Sequence, residues 1–278
     1  MSDAIRRLRL VHPFPSAVNA ALVFGLAVVA GGGLAGAALL ALGMLGLQFC
    51  IGTVNDLIDA PHDALAKPWK PIPSRLVSVR WAVRVAVVAG GGGLLMAGVV
   101  GPLVLIMAAV MLGCGLAYDL WLKPTRWAWA CFSLAFAVLP VYAWYGATGS
   151  LPPRPELLLP LAAAAGPLIQ LANGLADLER DDRSGLATLA VRLGRRRSLA
   201  VMAGLLVFVH GAAWLTLRGA APAVIALAAA ATLLAVIGLL LSAHVDAQRR
   251  EVGWMIQAGS IALLGLGWLA AAVAPAGQ

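Results

Sequence analysis

Apolar residues fill most of the chain in uninterrupted stretches of about 20 residues, and short segments between them carry most of the charges. A helix of about 20 residues is long enough to cross the hydrocarbon core of a bilayer. Backbone amides must be paired inside that core, and these stretches lack the alternation of barrel strands, so we predict helices. The predicted spans are nine, at 16–35, 37–56, 80–98, 101–119, 127–146, 157–177, 199–217, 222–243 and 253–273.

The composition agrees with an integral membrane protein and excludes a water-soluble domain. Of the 278 residues, 62% are hydrophobic and 12% are charged, whereas a soluble domain has about 25% charged residues. The mean hydropathy is +0.91. Two glycine-rich segments, 30–36 and 89–98, are predicted to permit close helix packing or a turn. We therefore expect an all-α polytopic membrane protein.

The basic residues predict the orientation of the spans. With the N-terminus inside, 18 of the 20 Lys and Arg residues fall on one side, and Arg154 and Arg218 fall on the other. We expect the protein in the cytoplasmic membrane, with the N-terminus and the loops at about 57–79 and 178–198 facing the cytoplasm. The net charge of +8 follows from this topology and favours contact with the lipid bilayer. No nucleic-acid partner is expected.

Two acidic clusters share one spacing and one predicted membrane face. Asn55, Asp59 and Asp63 form the pattern N-x-x-x-D-x-x-x-D at the end of span 2, and Asp56 adds a fourth polar group. The second cluster repeats the pattern at the end of span 6 with the residues Asn173, Asp177 and Asp181. On a helix this spacing aligns the side chains along one stripe. A single acidic helix end is a common solvated cap, but two matched copies favour a functional site.

The acids in these clusters indicate a divalent cation. Like charges repel, and carboxylates near a membrane span are costly without a partner. The ligands are hard oxygens, and the one nearby imidazole, His62, is expected to be solvated. Mg²⁺ fits these ligands best and usually shares its coordination shell with substrate phosphates. The clusters therefore predict a phosphorylated ligand.

Several cations lie near the clusters in sequence and are candidates for binding a diphosphate. The positive-inside rule accounts for any one of them on its own. Lys123 is the strongest candidate, because it lies in a very short loop just after Tyr118. The candidates are Lys67, Lys70, Arg75, Lys123 and Arg126.

Four segments together resemble the UbiA superfamily of intramembrane prenyltransferases. "NDLIDAPHD" (55–63) resembles its first aspartate motif, and "KPWKPIPSRLVS" (67–78) its basic Pro-Ile-Pro segment. "YDLWLKPT" (118–125) resembles the loop after span 4. "NGLADLERDDRSGLATLAVRLG" (173–194) resembles the second aspartate motif and the landmarks that follow it. The order, the spacing and the nine-span count agree along nearly the whole chain.

The resemblance implies one domain over residues 1–278, with nine helices around a central cavity that opens laterally to lipid. It implies two Mg²⁺ ions that bridge the diphosphate of a polyprenyl donor. Asn173 is a weaker candidate ligand, and Tyr118 would either face the allylic cation or anchor the interface. The implied catalytic residues are Asp56, Asp59, Asp177, Lys123 and Tyr118. The implied metal ligands are Asn55, Asp56, Asp59, Asp63, Asp177 and Asp181.

Two positions depart from the pattern and bear on the acceptor. Gln48 stands where members that prenylate hydroxybenzoate often carry an Arg, which weakens the case for a benzoate. Asp119 adds a negative charge near the pocket and would bind the acceptor, act as a base or pair with Lys123. The expected acceptor is membrane-soluble: an aromatic compound, a quinone precursor or a lipid-like molecule.

Three other functions compete with prenyl transfer. A terpene cyclase of the same superfamily would ionise the same diphosphate and need no acceptor. An ion-coupled transporter would place its carboxylates near the middle of the membrane, whereas these lie at helix ends. A CDP-alcohol phosphotransferase uses a single aspartate cluster instead of two distant ones.

Overall fold

The computed structural model describes residues 3–273, and within that range it contains helices joined by loops and no strands. Its helices are α1 (Asp3–Leu8), α2 (Pro13–Val29), α3 (Leu34–Ala66), α4 (Val79–Val100), α5 (Pro102–Ala117), α6 (Ala128–Thr148), α7 (Pro155–Ala176), α8 (Leu178–Arg183), α9 (Leu189–Thr216), α10 (Pro222–Ser242) and α11 (Ala247–Val273). One 3₁₀ turn (Arg9–Val11) precedes α2, and one π-helical turn (Tyr118–Leu122) continues α5.

Nine long helices of the described residues correspond to the nine predicted spans. Eight of them are long and apolar enough to cross a membrane. The ninth, α2, has 17 residues and is bent by 57° from the segment Asp3–Val11 that precedes it. The prediction of an all-α polytopic membrane protein is therefore confirmed.

The helices bury a shared core and expose apolar side chains on their outer faces. The largest buried cluster includes Leu26, Leu40, Tyr142 and Trp268, so it joins early and late helices of the chain. The Tyr142 hydroxyl donates to the Leu40 carbonyl at 3.1 Å. Outward-facing Val88 is 73% exposed, which suits a surface surrounded by hydrocarbon rather than water.

Glycine brings α3 and α4 into backbone contact. A Cβ added to Gly93 would lie 2.7 Å from the Gly43 carbonyl oxygen and 2.9 Å from the Leu47 amide nitrogen. A Cβ added to Gly46 would lie 2.7 Å from the Ala89 carbonyl oxygen. The glycine-rich segment 89–98 thus permits close packing inside a helix, while segment 30–36 makes the turn between α2 and α3 with Gly31 at φ 88°.

The two loops that we predict to face the cytoplasm are shorter than their predicted boundaries. Residues 57–66 are the last turns of α3, although Pro61 lies within them. Leu57 and Ala60 on these turns pack against a small cluster around Leu10 and Ile72, which stabilises the longer helix. The second predicted loop, 178–198, contains α8 and the start of α9, where Gly194 makes a kink at φ 72° and ψ 163°.

The close approach of α3 and α4 generates a prediction. Replacing Gly93 by Leu should lower the free energy of unfolding, because the new side chain meets the α3 backbone, which cannot move aside. Overpacking of this kind costs about 1–3 kcal/mol. The measurement is thermal unfolding of the protein in detergent.

Gly91→Leu is the matched control, since a Cβ at Gly91 has no atom within 4 Å. Equal melting temperatures for the two variants would contradict the packing of α3 on α4 described above.

Candidate active site

One ion pair joins the two acidic clusters, although they are far apart in sequence. The Lys67 ammonium, just past the end of α3, lies 2.7 Å from Asp177 Oδ2 at the end of α7. The two residues are 110 positions apart. The ends of α3 and α7 that carry the clusters therefore meet at the same end of the helix bundle.

The first cluster lies on a continuous stretch of α3. Asp56 and Asp63 are both buried, at 2% and 6% exposure. The Lys70 ammonium lies between them, 2.8 Å from Asp56 Oδ1 and 2.6 Å from Asp63 Oδ2. The segment 67–78 thus folds back over the helix end, and its lysines balance the carboxylates.

Asp59 of the same cluster pairs with Lys123, the residue that follows the π-helical turn. The Lys123 ammonium lies 2.5 Å from Asp59 Oδ2, and the Lys123 amide donates to the Tyr118 carbonyl at 2.8 Å. A π-helical turn inserts an extra residue into the helix and is frequent at functional sites. Here it continues the span past its predicted end at residue 119 and turns Lys123 towards α3.

Asp119 is buried, and only one of its two carboxylate oxygens has a hydrogen-bond partner among the described residues. Asn55 donates to its Oδ1 at 2.7 Å, while its Oδ2 has no hydrogen-bond partner among the described residues. The structure does not show a pair between Asp119 and Lys123, because Lys123 is engaged with Asp59. One of the three roles considered for Asp119 therefore receives no support from the geometry.

The second cluster is not one continuous helical stripe, contrary to expectation. Helix α7 ends at Ala176, and Asp177 stands between α7 and α8, with its carbonyl accepting from the amides of Arg180 and Asp181. The break is stabilised by Arg250 from α11, whose Nε donates to the Leu175 carbonyl at 2.6 Å. Asp177 also pairs with the Arg180 side chain.

Three groups outside the spans have shifted pKa values. Burial lowers the pKa of Lys67 to about 8, and the charges of Lys70 and Arg180 add to this effect. Burial also acts to lower the pKa of Lys70, but the charges of Asp56 and Asp63 outweigh it and raise the pKa. Burial raises the pKa of Asp181, which accepts from the Thr188 hydroxyl at 3.3 Å.

The carboxylates suit a hard divalent cation by their chemistry. Among residues 3–273 no three His, Cys, Asp or Glu side chains converge in a ready-made metal cage. Lysine ammonium groups lie between the carboxylates instead, so the positions among them already attract positive charge. The donors are all oxygens, which Mg²⁺ prefers, and the residues fit that ion.

Four of the predicted residues are not brought to the carboxylates. Arg75 and Arg126 are exposed, and Arg126 lies over the Trp127 ring, 5.2 Å from its centroid. Gln48 contacts the Met44 sulfur at 3.7 Å. Asn173 is exposed and makes no side-chain hydrogen bond within the described range. His62 is exposed, as expected of a solvated imidazole.

Tyr118 stands at the border between the polar cluster and an apolar region. Its ring packs edge-to-face on Phe132, with ring centroids 5.0 Å apart. An open groove of about 530 Å³ lies nearby between α6, α7 and α9, and its lining is almost entirely apolar. The groove is lined in part by Ser133, Pro167 and Leu171.

Sequence reasoning missed His12, Arg180 and Arg250. His12 Nε2 lies 3.0 Å from Asp56 Oδ1, 44 residues along the chain. Arg250 is 0% exposed and pairs with Glu179. A single His ahead of the first span carries no recognisable spacing, and both arginines lie in polar segments whose basic residues the positive-inside rule explains. Nothing in the sequence pattern distinguished them.

The chain is similar to membrane prenyltransferases of archaea. A digeranylgeranylglyceryl phosphate synthase of Halobacterium salinarum is 32% identical over 209 residues, 74% of either chain. A protein of the same name from Korarchaeum cryptofilum is 29% identical over 156 residues, so the match spans 53% of that relative. A solved UbiA homolog from Archaeoglobus fulgidus bound to DMAPP and Mg²⁺ has the same fold, with a TM-score of 0.71 and 18% identity over 96% of this chain and 99% of that one.

A family model assigns the chain to a protein family. The model of the UbiA prenyltransferase family matches residues 18–256, which include both acidic clusters and all three lysines that pair with them. The membrane spans, the paired aspartate motifs and this match lead to the same conclusion. The protein is an integral multi-pass membrane prenyltransferase and belongs to the UbiA prenyltransferase family.

Proposed function

We propose that the protein ionises a polyprenyl diphosphate with the help of Mg²⁺ and transfers the prenyl group to a membrane-soluble acceptor that carries a hydroxyl group. The contact between Lys67 and Asp177 carries this proposal, because it brings both aspartate motifs to one end of an apolar bundle. Family membership removes the transporter from the alternatives. The cyclase remains as an outcome of the test below.

The carboxylates of both motifs are the proposed metal ligands. We propose two ions, since six side chains offer more oxygens than one octahedral ion uses. When bound, Mg²⁺ neutralises the negative charge that grows on the diphosphate as the allylic C–O bond breaks. The Archaeoglobus fulgidus homolog bound to DMAPP and Mg²⁺ supports this choice of ion. The proposed ligands are Asn55, Asp56, Asp59, Asp63, Asp177 and Asp181.

Three lysines supply the remaining positive charge. These are Lys67, Lys70 and Lys123, which already lie among the carboxylates. Their ammonium groups can donate to phosphate oxygens without a rearrangement of the loops. We propose that Arg75 and Arg126, which stay at the surface, attract the anionic donor at longer range. A weakly hydrated, half-buried lysine such as Lys67 binds a trianionic diphosphate more strongly than an exposed one.

The prenyl part of the donor belongs on the apolar side of Tyr118. The ring of Tyr118, held edge-to-face on Phe132, would present its face to the allylic cation and stabilise it. The groove between α6, α7 and α9 suits an isoprenoid tail, because its lining is apolar. Apolar walls also keep water from the cation.

The free oxygen of Asp119 indicates what the acceptor must offer. A buried carboxylate oxygen without a partner is costly, and a hydroxyl group that donates to it removes that cost. In the transfer step the acceptor oxygen bonds to the allylic carbon, the C–O bond to the diphosphate breaks with its electron pair, and the hydroxyl proton passes to Asp119. Gln48 offers no cation for a benzoate. Relatives named digeranylgeranylglyceryl phosphate synthases support a lipid-like acceptor.

We propose that this chemistry takes place on the cytoplasmic side of the cytoplasmic membrane. The cluster-bearing ends of α3 and α7 lie on the side that holds 18 of the 20 Lys and Arg residues when the N-terminus is inside. Asn173 is exposed near this face and remains a weaker candidate for contact with the acceptor or with water around the ions.

The central test is a product analysis. Membranes that contain the protein, radiolabelled geranylgeranyl or farnesyl diphosphate, Mg²⁺ and a membrane lipid extract should yield diphosphate and a prenylated lipid, identified by mass spectrometry. EDTA should abolish the reaction because the carboxylates then repel the donor, and added Mg²⁺ should restore it.

Cyclic hydrocarbons or alcohols formed without the lipid extract would identify a cyclase instead. Activity that persists in EDTA would contradict the assigned role of the metal, and failure to release diphosphate from either donor would contradict the proposed function.

The carboxylates can be tested one by one. Asp59→Asn and Asp177→Asn should each lower kcat/KM by roughly 100-fold or more, because each removes a charged ligand from the diphosphate site. The measurement is steady-state release of diphosphate by protein whose melting temperature remains within a few degrees of wild type.

Asp182→Asn is the matched control, since Asp182 is exposed, adjoins Asp181 and pairs with no cation in the described range. Wild-type turnover by either Asp59→Asn or Asp177→Asn would discard the assignment of both motifs.

Asp119→Asn separates ionisation from transfer. This variant keeps a side chain of the same size that can still contact Asn55, but it no longer accepts a proton. We expect transfer to the lipid acceptor to fall by roughly 100-fold, while binding of the donor is unchanged. Two quantities are measured for each protein: the rate at which prenylated lipid forms and the KM for the donor. If Asp119→Asn loses donor affinity as strongly as it loses transfer, Asp119 belongs to the diphosphate site instead.

A further inference from the structure

Among residues 3–273, His12 is the one group from outside the matched family region that contacts a motif carboxylate. It lies N-terminal to residues 18–256, at the bend between the segment Asp3–Val11 and α2. Its Nε2 is 3.0 Å from Asp56 Oδ1, the same oxygen that lies 2.8 Å from the Lys70 ammonium. An ionised carboxylate only accepts hydrogen bonds, so the His12 Nε2 carries the hydrogen in this contact.

The backbone of His12 adopts a conformation that local preferences oppose. Its φ is 48° and its ψ is 66°, in the left-handed region that few residues other than glycine occupy. The residue that follows is Pro13, which favours an extended backbone at the preceding position. Strained conformations of this kind persist where the surroundings determine them, and they concentrate at functional sites.

Hydrogen bonds and apolar contacts on both sides hold His12 in this place. The His12 amide donates to the Arg9 carbonyl at 3.1 Å, and the Ser16 hydroxyl donates to the Val11 carbonyl at 2.9 Å. Leu10 is buried against Ile72 and Val77. The N-terminal segment is thus fixed to the same loop that carries Lys70, the other partner of Asp56.

Helix α3 leaves a notch for the imidazole. A Cβ added to Gly52 would lie 3.0 Å from both Cβ and Cγ of His12 and 3.2 Å from its Cδ2, and these are the three nearest atoms. Gly52 stands one helical turn before Asp56 on the same helix. The glycine therefore admits His12 to the carboxylate, and a methyl group there meets His12 before any other residue.

We infer that His12 is a positioning residue: it fixes one oxygen of Asp56 and thereby orients the carboxylate towards a divalent cation bound between the two aspartate motifs. The inference rests on the proposed function, since it assigns Asp56 to that cation. The Asp56 side chain is 3% exposed, so water cannot replace His12 as its hydrogen-bond partner. The His12 side chain is 32% exposed and lies at the outer edge of the contact. The imidazole acts through Asp56 and needs no contact with the donor.

The test measures the binding of Mn²⁺, used in place of Mg²⁺, to the purified full-length protein in detergent. Free Mn²⁺ is quantified by its electron paramagnetic resonance signal. His12→Ala should raise the Kd for Mn²⁺ at least fivefold. His12→Gln, whose amide can still donate to Asp56, should stay within threefold of wild type. His62→Ala is the matched control on the exposed side of the same motif and should leave the Kd unchanged.

A double-mutant cycle tests the notch. Gly52→Ala should weaken Mn²⁺ binding about as much as His12→Ala, and the double variant should be no weaker than either single variant, since both changes act through one contact. Gly36→Ala on the same helix meets no atom within 4 Å and controls for the glycine replacement itself. Turnover of geranylgeranyl diphosphate by His12→Ala should recover at high Mg²⁺, which a general loss of folding would not allow.

Each other result has a distinct meaning. Equal Kd values for wild type and His12→Ala would overturn the inference and leave the proposed function intact. Losses that multiply in the double variant would also overturn it, because Gly52 would then act elsewhere. No Mn²⁺ binding by the wild type would overturn both the inference and the metal-dependent function.

Discussion

The structure of the candidate site depends on the cost of placing carboxylates at the edge of a membrane. A buried charge without a partner is so unfavourable that the acids can gather only if cations gather with them. Lys67, Lys70 and Lys123 meet that need: the first two lie in the segment that folds back over the end of α3, and Lys123 directly follows the π-helical turn. The same ion pairs therefore fix the loops, bring the two aspartate motifs together and keep positive charge at the proposed diphosphate site.

The helical architecture and the meeting of the two acidic clusters could be predicted from the amino-acid sequence. Spans of about 20 apolar residues must be helices in hydrocarbon, and the bias of Lys and Arg predicts their direction. Asp59 and Asp177 could be placed near each other because matched acidic clusters at one membrane face have few stable alternatives. Lys123 stood out by its short loop, and in the structure it pairs with Asp59.

Other features depend on contacts that no local pattern encodes. The break of α7 at Asp177 requires Arg250 from α11, and the π-helical turn after Ala117 is visible only in the backbone. The extension of α3 through Pro61 depends on apolar contacts with Leu10 and Ile72. Asn55 and Asp119 are 64 positions apart, and His12 and Asp56 are 44 positions apart, yet each pair is in hydrogen-bond contact. Such contacts arise from the tertiary fold and produce no periodic pattern of residues in the sequence.

Arg250 ties the last described helix to the second aspartate motif. Its fully buried guanidinium donates to carbonyls of α7 and of the segment before α11 and pairs with Glu179 of α8. A chain cut before α11 would lose the donor to the Leu175 carbonyl and the partner of Glu179, and the start of the second aspartate motif would keep its ion pairs with Lys67 and Arg180 alone among those described. The last described helix is therefore part of the framework of the candidate site, although it carries none of the proposed metal ligands.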